Sequence, residues 1–151
     1  MLLDQPEALF SAAGALATSG WAALALSPRR APWALPARRY AGRVVPLLLA
    51  LVYAALIVRH WGPGGYGSLA EVRALFDVPQ LLLAGWLHYL AFDLFVGAWI
   101  AERGAALGMP HLLLLPLWLL TFLFGPAGLL AFALLRTLPR FRAASIPTAR
   151  S

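Results

Sequence analysis

Cysteine is absent from the 151-residue chain, and so is lysine. The first absence excludes a disulfide framework and any thiolate nucleophile or thiolate metal site. The second makes every cationic side chain other than histidine an arginine. Charge of either sign is scarce, at 12% of residues against about 25% in a typical soluble domain. Only three histidines occur, His60, His88 and His111. None stands three or four positions from another histidine, and no acid stands at that spacing from His88, so metal-ligand spacing is missing. There is no glycine loop to cradle a phosphate, no serine-nucleophile motif and no nucleic-acid-binding pattern. No cofactor is expected.

What is present in quantity is apolar. Hydrophobic residues make up 62% of the chain and the mean hydropathy is +0.77. A soluble fold of this length cannot hide that much apolar surface, so the composition specifies an integral membrane protein. A net charge of +6 then points to anionic headgroups. Arginine- and alanine-rich, lysine-free usage fits a bacterial chain, and the expected location is a bacterial inner membrane.

Four apolar runs stand out: Glu7–Leu26, Val44–Val58, Leu81–Ala101 and Leu112–Leu135. A helix needs roughly 20 residues to cross the hydrocarbon core. The second run reaches that length with Tyr40–Arg43 and Arg59–Trp61 as interfacial ends. The pattern predicts an all-α bundle of four transmembrane helices forming one domain over 1–138, with a disordered tail over 139–151. Asp4 and Glu7 precede the first run and no basic residue does, so it reads as a retained helix and not a signal peptide. Between the second and third runs, Gly62–Gly67 is a turn, and Ser68 with Glu71 forms a capping box ahead of a short interfacial helix. That helix is either a plain linker or a lid over a cavity. The first connection, 27–43, holds five arginines and is expected to be cytoplasmic, with the N-terminus outside. Four full spans would place six arginines on each side, so the preference for this orientation rests on the first helix.

The third run carries the chemistry. In GWLHYLAFDLFVGAWIAERG (85–104), His88, Tyr89 and Asp93 sit where lipid makes them costly. An ionised aspartate at a helix centre costs roughly 2.5–3.5 kcal/mol on insertion scales. Asp93 must therefore face protein or water, be paired, or be protonated. At 100° per residue His88 and Asp93 lie about 140° apart. They flank one broad face without touching, unless a π-bulge brings them together. Whether both are neutral or form an ion pair, His88 and Asp93 can donate and accept a proton, and an ionisable residue inside a membrane is a functional candidate. The alternative for Asp93 is interhelical glue, bonded to Tyr53, Thr121 or Ser11. For His88 it is a satisfied core histidine. Gly85 and Gly97 read as close-contact positions.

The fourth run contains TFLFGPAG (121–128). Pro126 removes a backbone donor and should kink the helix toward protein or a cavity. The expected substrate pocket comprises Gly85, Phe92, Val96, Trp99, Tyr53, Thr121, Phe124, Gly125 and Pro126.

The segment GWLHYLAFDLFVGAWIAERG followed by LTFLFGPAGLL resembles the abscisic acid-deficient 4-like family, small four-helix membrane proteins that include a plant protein needed for neoxanthin formation. The match is strong over Asp77–Arg136 and by pattern alone before that. The resemblance implies an intramembrane isomerase-type enzyme acting on a carotenoid or related isoprenoid lipid. His88 and Asp93 fall on its most characteristic positions, and the resemblance implies Asp93 and His88 as acid and base with Tyr89 as a supporting donor. In the plant reaction an epoxide becomes an allene, which needs one acid at the epoxide oxygen and one base at a ring-adjacent proton. The implied partners are that lipid and the membrane, with a second copy or another membrane protein as a further candidate. Two other roles fit the same residues: a non-catalytic lipid-binding or complex-stabilising protein, and a proton-coupled transporter subunit.

Overall fold

A computed structural model describes residues 5–62 and 64–142, and these are all-helical without strands. In chain order the helices are α1 (Pro6–Ala25), α2 (Ala34–Arg39), α3 (Val45–His60), α4 (Leu69–Phe76), α5 (Pro79–Ala106), α6 (His111–Phe124), α7 (Pro126–Leu135) and a single turn, α8 (Pro139–Arg142). Proline opens α1, α5 and α7, where its missing N–H costs nothing. Three helical segments are long and apolar enough to cross a membrane: Pro6–Ala25, Ala34–His60 and Pro79–Ala106.

The second segment corrects the expected loop over 27–43. Its second half is helical from Ala34, and α2 runs into α3 through a π-turn at Tyr40–Val44. This is where the π-turn falls, and α5 is regular throughout. Two contacts account for the site. Gly42 lies against the Ala98 methyl, so close that an added Cβ would approach it to 2.6 Å. The Tyr40 hydroxyl hydrogen-bonds Ser19 Oγ of α1 at 2.7 Å. One extra residue in the turn lets Gly42 face α5 while Tyr40 faces α1.

The interior is organised around α5. Leu81, Ala84, Leu87, Leu94, Ala98, Ile100 and Ala101 are all buried. Phe10 meets Trp86, Gly20 meets Leu94 and Trp21 meets Gly97, so α1 runs parallel to α5. Gly42 meets Ala98 and Tyr53 meets His88, so α3 runs antiparallel to it. Leu114 meets Gly104 and Trp118 Nε1 donates to Gly97 O at 2.9 Å, so α6 is antiparallel as well. Small residues permit these close approaches, and dispersion and shape hold them where lipid offers no hydrophobic drive between helices. Half of the expected capping box forms: Ser68 Oγ accepts from Glu71 N, whereas Glu71 Oε2 accepts from Gly67 N, one residue before the N-cap.

The fourth run is not one helix. It breaks at Gly125 (φ 41°, ψ −94°) into α6, of 14 residues, and α7, of 10. Instead of kinking and continuing, the chain reverses. Gly128 returns against the backbone and hydroxyl of Thr121, and Phe132 packs edge-on to Trp99 at 5.4 Å. A glycine accommodates the positive φ, and Pro126, with φ fixed for a helix start, launches α7. The tail expected to be disordered from 139 begins with the helical turn α8, which buries Phe141; its remainder, 143–151, lies outside the described residues.

A Cβ at Gly97 would sit 2.5 Å from the Trp21 ring, whereas one at Gly14 meets nothing within 4 Å. Gly97→Ala should lower stability by roughly 1–3 kcal/mol. Gly14→Ala should leave it unchanged or raise it by up to about 1 kcal/mol. Thermal unfolding in detergent, followed by near-UV circular dichroism, checks both.

Candidate functional site

The polar residues of α5 fall into two separate settings. His88 and Asp93 do not share one interior, because without a π-bulge their helical separation stands. His88 is on the side facing α3 and α4, stacked on Phe92 at 4.5 Å and tilted against Tyr53 at 5.8 Å. Asp93 is on the side facing the α6–α7 break, and is 8% exposed.

His88 lines a cavity of about 270 Å³. Its walls are Tyr53 and Ile57 from α3, Trp61 just past the end of α3, and Leu81 and Gly85 from α5; Tyr66 of the turn before α4 and Val72, Leu75 and Phe76 of α4 close it. The interfacial helix thus lies over a cavity, the second of the two roles the sequence left open. Its capping box sets its start, and Phe76 fixes its end by packing on Gly85, where an added Cβ would come 2.9 Å from the ring. The imidazole brings to this lining two ring nitrogens, of which one can donate and the other accept a hydrogen bond. Tyr53 and Tyr66 offer hydroxyls, and the rest is apolar and aromatic. Such a chamber suits an apolar ring that carries an oxygen function.

Asp93 and Tyr89 form the other setting. They stand one turn apart on the same face, and the Tyr89 hydroxyl lies beside the Asp93 carboxyl. That hydroxyl donates to the Phe122 carbonyl at 3.2 Å, one of the carbonyls left open where α6 ends. The carboxyl presses on Gly125, which caps the start of α7. A negative group is favoured at a helix N-terminus by about 0.3–1 kcal/mol, and more when partly buried. A donor thus meets the carbonyl end of the break, and a carboxyl lies against the glycine that joins its two limbs. Asp93 Oδ2 is buried without a hydrogen-bond partner.

The other expected pocket residues divide accordingly. Tyr53, Gly85 and Phe92 gather around His88. Thr121 and Gly125 surround the break, where Thr121 is fully buried and donates to Leu117 O at 2.8 Å. Pro126 follows Gly125 as the first residue of α7. Trp99 packs on Phe132, Val96 is half-buried and Phe124 is exposed, and none of these three reaches the His88 cavity. Sequence reasoning missed Ile57, Trp61, Tyr66, Val72, Leu75 and Phe76. The available signal was the amphipathic 69–76 helix, whose apolar face has to cover something. Among the described residues no cluster of three or more His, Asp or Glu side chains could hold a metal ion.

An alanine at 125 would place its Cβ 2.6 Å from Asp93 Oδ1 on a backbone with φ of +41°. Gly125→Ala should therefore cost roughly 1–3 kcal/mol. Asp93→Ala should relieve part of that loss, giving a coupling of at least about 0.5 kcal/mol in a double-mutant cycle read by thermal unfolding.

No curated protein and no solved structure matches the sequence. A family model described as ABA DEFICIENT 4-like matches residues 8–132, which takes in all of α5 and the Gly125 break, and the chain belongs to this ABA4-like family.

Proposed function

We propose that the protein is an intramembrane isomerase-type enzyme acting on a carotenoid or related isoprenoid lipid, with His88 as its proton-transfer group. The observation that carries this reading is the cavity of about 270 Å³ beneath α4, which His88 lines together with Tyr53 and Tyr66. A polyene dissolved in the bilayer would enter sideways between α3 and α4 and place one end ring in this chamber. For an epoxide substrate the imidazolium gives its proton to the epoxide oxygen as the C–O bond breaks. The imidazole then removes a proton from the carbon next to the ring, and the C–H electrons form the new double bond. The proton count closes, so one histidine serves as acid and then base. Tyr53 is a supporting donor. Asp93 and Tyr89, expected from the sequence to share the chemistry, become positioning residues that hold the α6–α7 break against α5. The setting is a bacterial inner membrane. The fourth apolar run is assigned below to a hairpin and not to a fourth span.

A second reading, a lipid-binding protein without chemistry, is favoured by one observation: the Tyr89–Phe122 hydrogen bond and the Asp93–Gly125 contact are architectural. The two readings separate in a carotenoid-producing host. The wild type should generate a new pigment or lipid product. His88→Ala should reduce it by about 100-fold or more while protein still accumulates in the membrane. Asp93→Asn should keep the product per unit of protein and lower the amount of protein. A product lost in Asp93→Asn but kept in His88→Ala, at equal accumulation, would move the chemistry to the break. No new product in any host would favour the binding protein.

A further inference from the structure

The reversal at Gly125 changes where the chain ends relative to the membrane. Passing along α6, Leu114 lies at the level of Gly104, Trp118 at that of Gly97, and Gly125 at that of Asp93. Along α7 the levels climb back, for Phe132 packs on Trp99 and not on the N-terminal half of α5. Had α7 continued the course of α6, Phe132 would lie a further seven residues beyond the level of Asp93, out of reach of Trp99. The limbs of 14 and 10 residues are about 21 and 15 Å long at 1.5 Å per residue, each short of the roughly 30 Å hydrocarbon core. Non-helical backbone at membrane depth is tolerated only where protein covers it, and Gly125 is buried.

We infer that α6 and α7 form a re-entrant hairpin, entering and leaving on one side, and that this gathers the arginines into a single basic face resting on anionic lipid headgroups. With three crossings, the 27–43 connection, the C-terminal end of α5 and the end of α7 share a side. The contacts agree: His111 Nε2 bonds Ala25 O at 2.8 Å, and Arg29 Nη1 donates to Ala105 O at 3.2 Å. That side holds Arg29, Arg30, Arg38, Arg39, Arg43, Arg103, Arg136, Arg140 and Arg142, with one acid, Glu102. The opposite side holds Arg59 and Arg73, with the acids Glu7, Glu71 and Asp77. A four-span course gives no arginine bias. The hairpin course gives nine against two among the described residues, which assigns the basic face to the cytoplasm. Each arginine near an anionic surface contributes to attraction that salt weakens.

The chain contains no cysteine, so single cysteines report side without further engineering. Ala31→Cys, Ala70→Cys and Thr137→Cys are labelled with a membrane-impermeant maleimide in intact cells and in inverted membrane vesicles. Thr137→Cys should share the pattern of Ala31→Cys, reacting in the inverted vesicles, while Ala70→Cys reacts in intact cells. Thr137→Cys reacting with the pattern of Ala70→Cys, or from both sides, overturns the hairpin. Ala31→Cys reacting in intact cells overturns the cytoplasmic assignment. For the headgroups, the wild type is reconstituted in phosphatidylcholine with and without phosphatidylglycerol. The anionic lipid should raise the unfolding temperature at low salt and lose that effect at high salt. An equal unfolding temperature in both lipids overturns the headgroup partner.

Discussion

A helix that stops inside an apolar slab leaves backbone groups that water cannot reach, and much of this molecule is arranged around that constraint. The break at Gly125 opens carbonyls on one side and amides on the other. Tyr89, one turn from Asp93 on α5, donates to the carbonyl end, and the Asp93 carboxyl lies against Gly125. A costly aspartate in a membrane segment is thus placed at a costly break. The small residues of α5 and its neighbours complete the arrangement by letting α1, α3 and α6 pack closely against α5.

Two polar settings are thereby divided between two faces of one helix. His88 faces an aromatic chamber that α3 and the short amphipathic α4 enclose, while Asp93 faces protein. Because α5 is a regular α-helix over all 28 residues, its rotation fixes this division, and a residue on one face cannot exchange roles with a residue on the other. The family match takes in both faces, so membership alone does not say which of them acts on a substrate.

Much of the fold was legible in the sequence. Apolar runs and composition specify a helical membrane protein, and Ser68 with Glu71 marks the start of α4. Four features were not legible. The π-turn at Tyr40–Val44 depends on where Gly42 meets Ala98, a tertiary contact that no local pattern encodes. The reversal at Gly125 looks like an ordinary proline kink, since Gly-Pro disrupts a helix in either case and the direction of the bend is set by α5. The separation of His88 from Asp93 follows from the helical period, but which flank meets which neighbour required the packing. The roof of the His88 cavity went unread because the 69–76 helix shows an apolar face without showing which surface that face covers.

The two limbs meeting at Gly125 also bear on how the protein is made. Neither limb is long enough to be handed to lipid as an independent span, and their shared apex exposes polar backbone until it meets Tyr89 and Asp93. The first three crossings can be inserted one by one as they are synthesised. The last segment cannot settle until α5 is already in place to receive it, so its entry into the bilayer is an act of tertiary folding, and damage to the α5 face should appear first as a C-terminal segment left accessible to proteases.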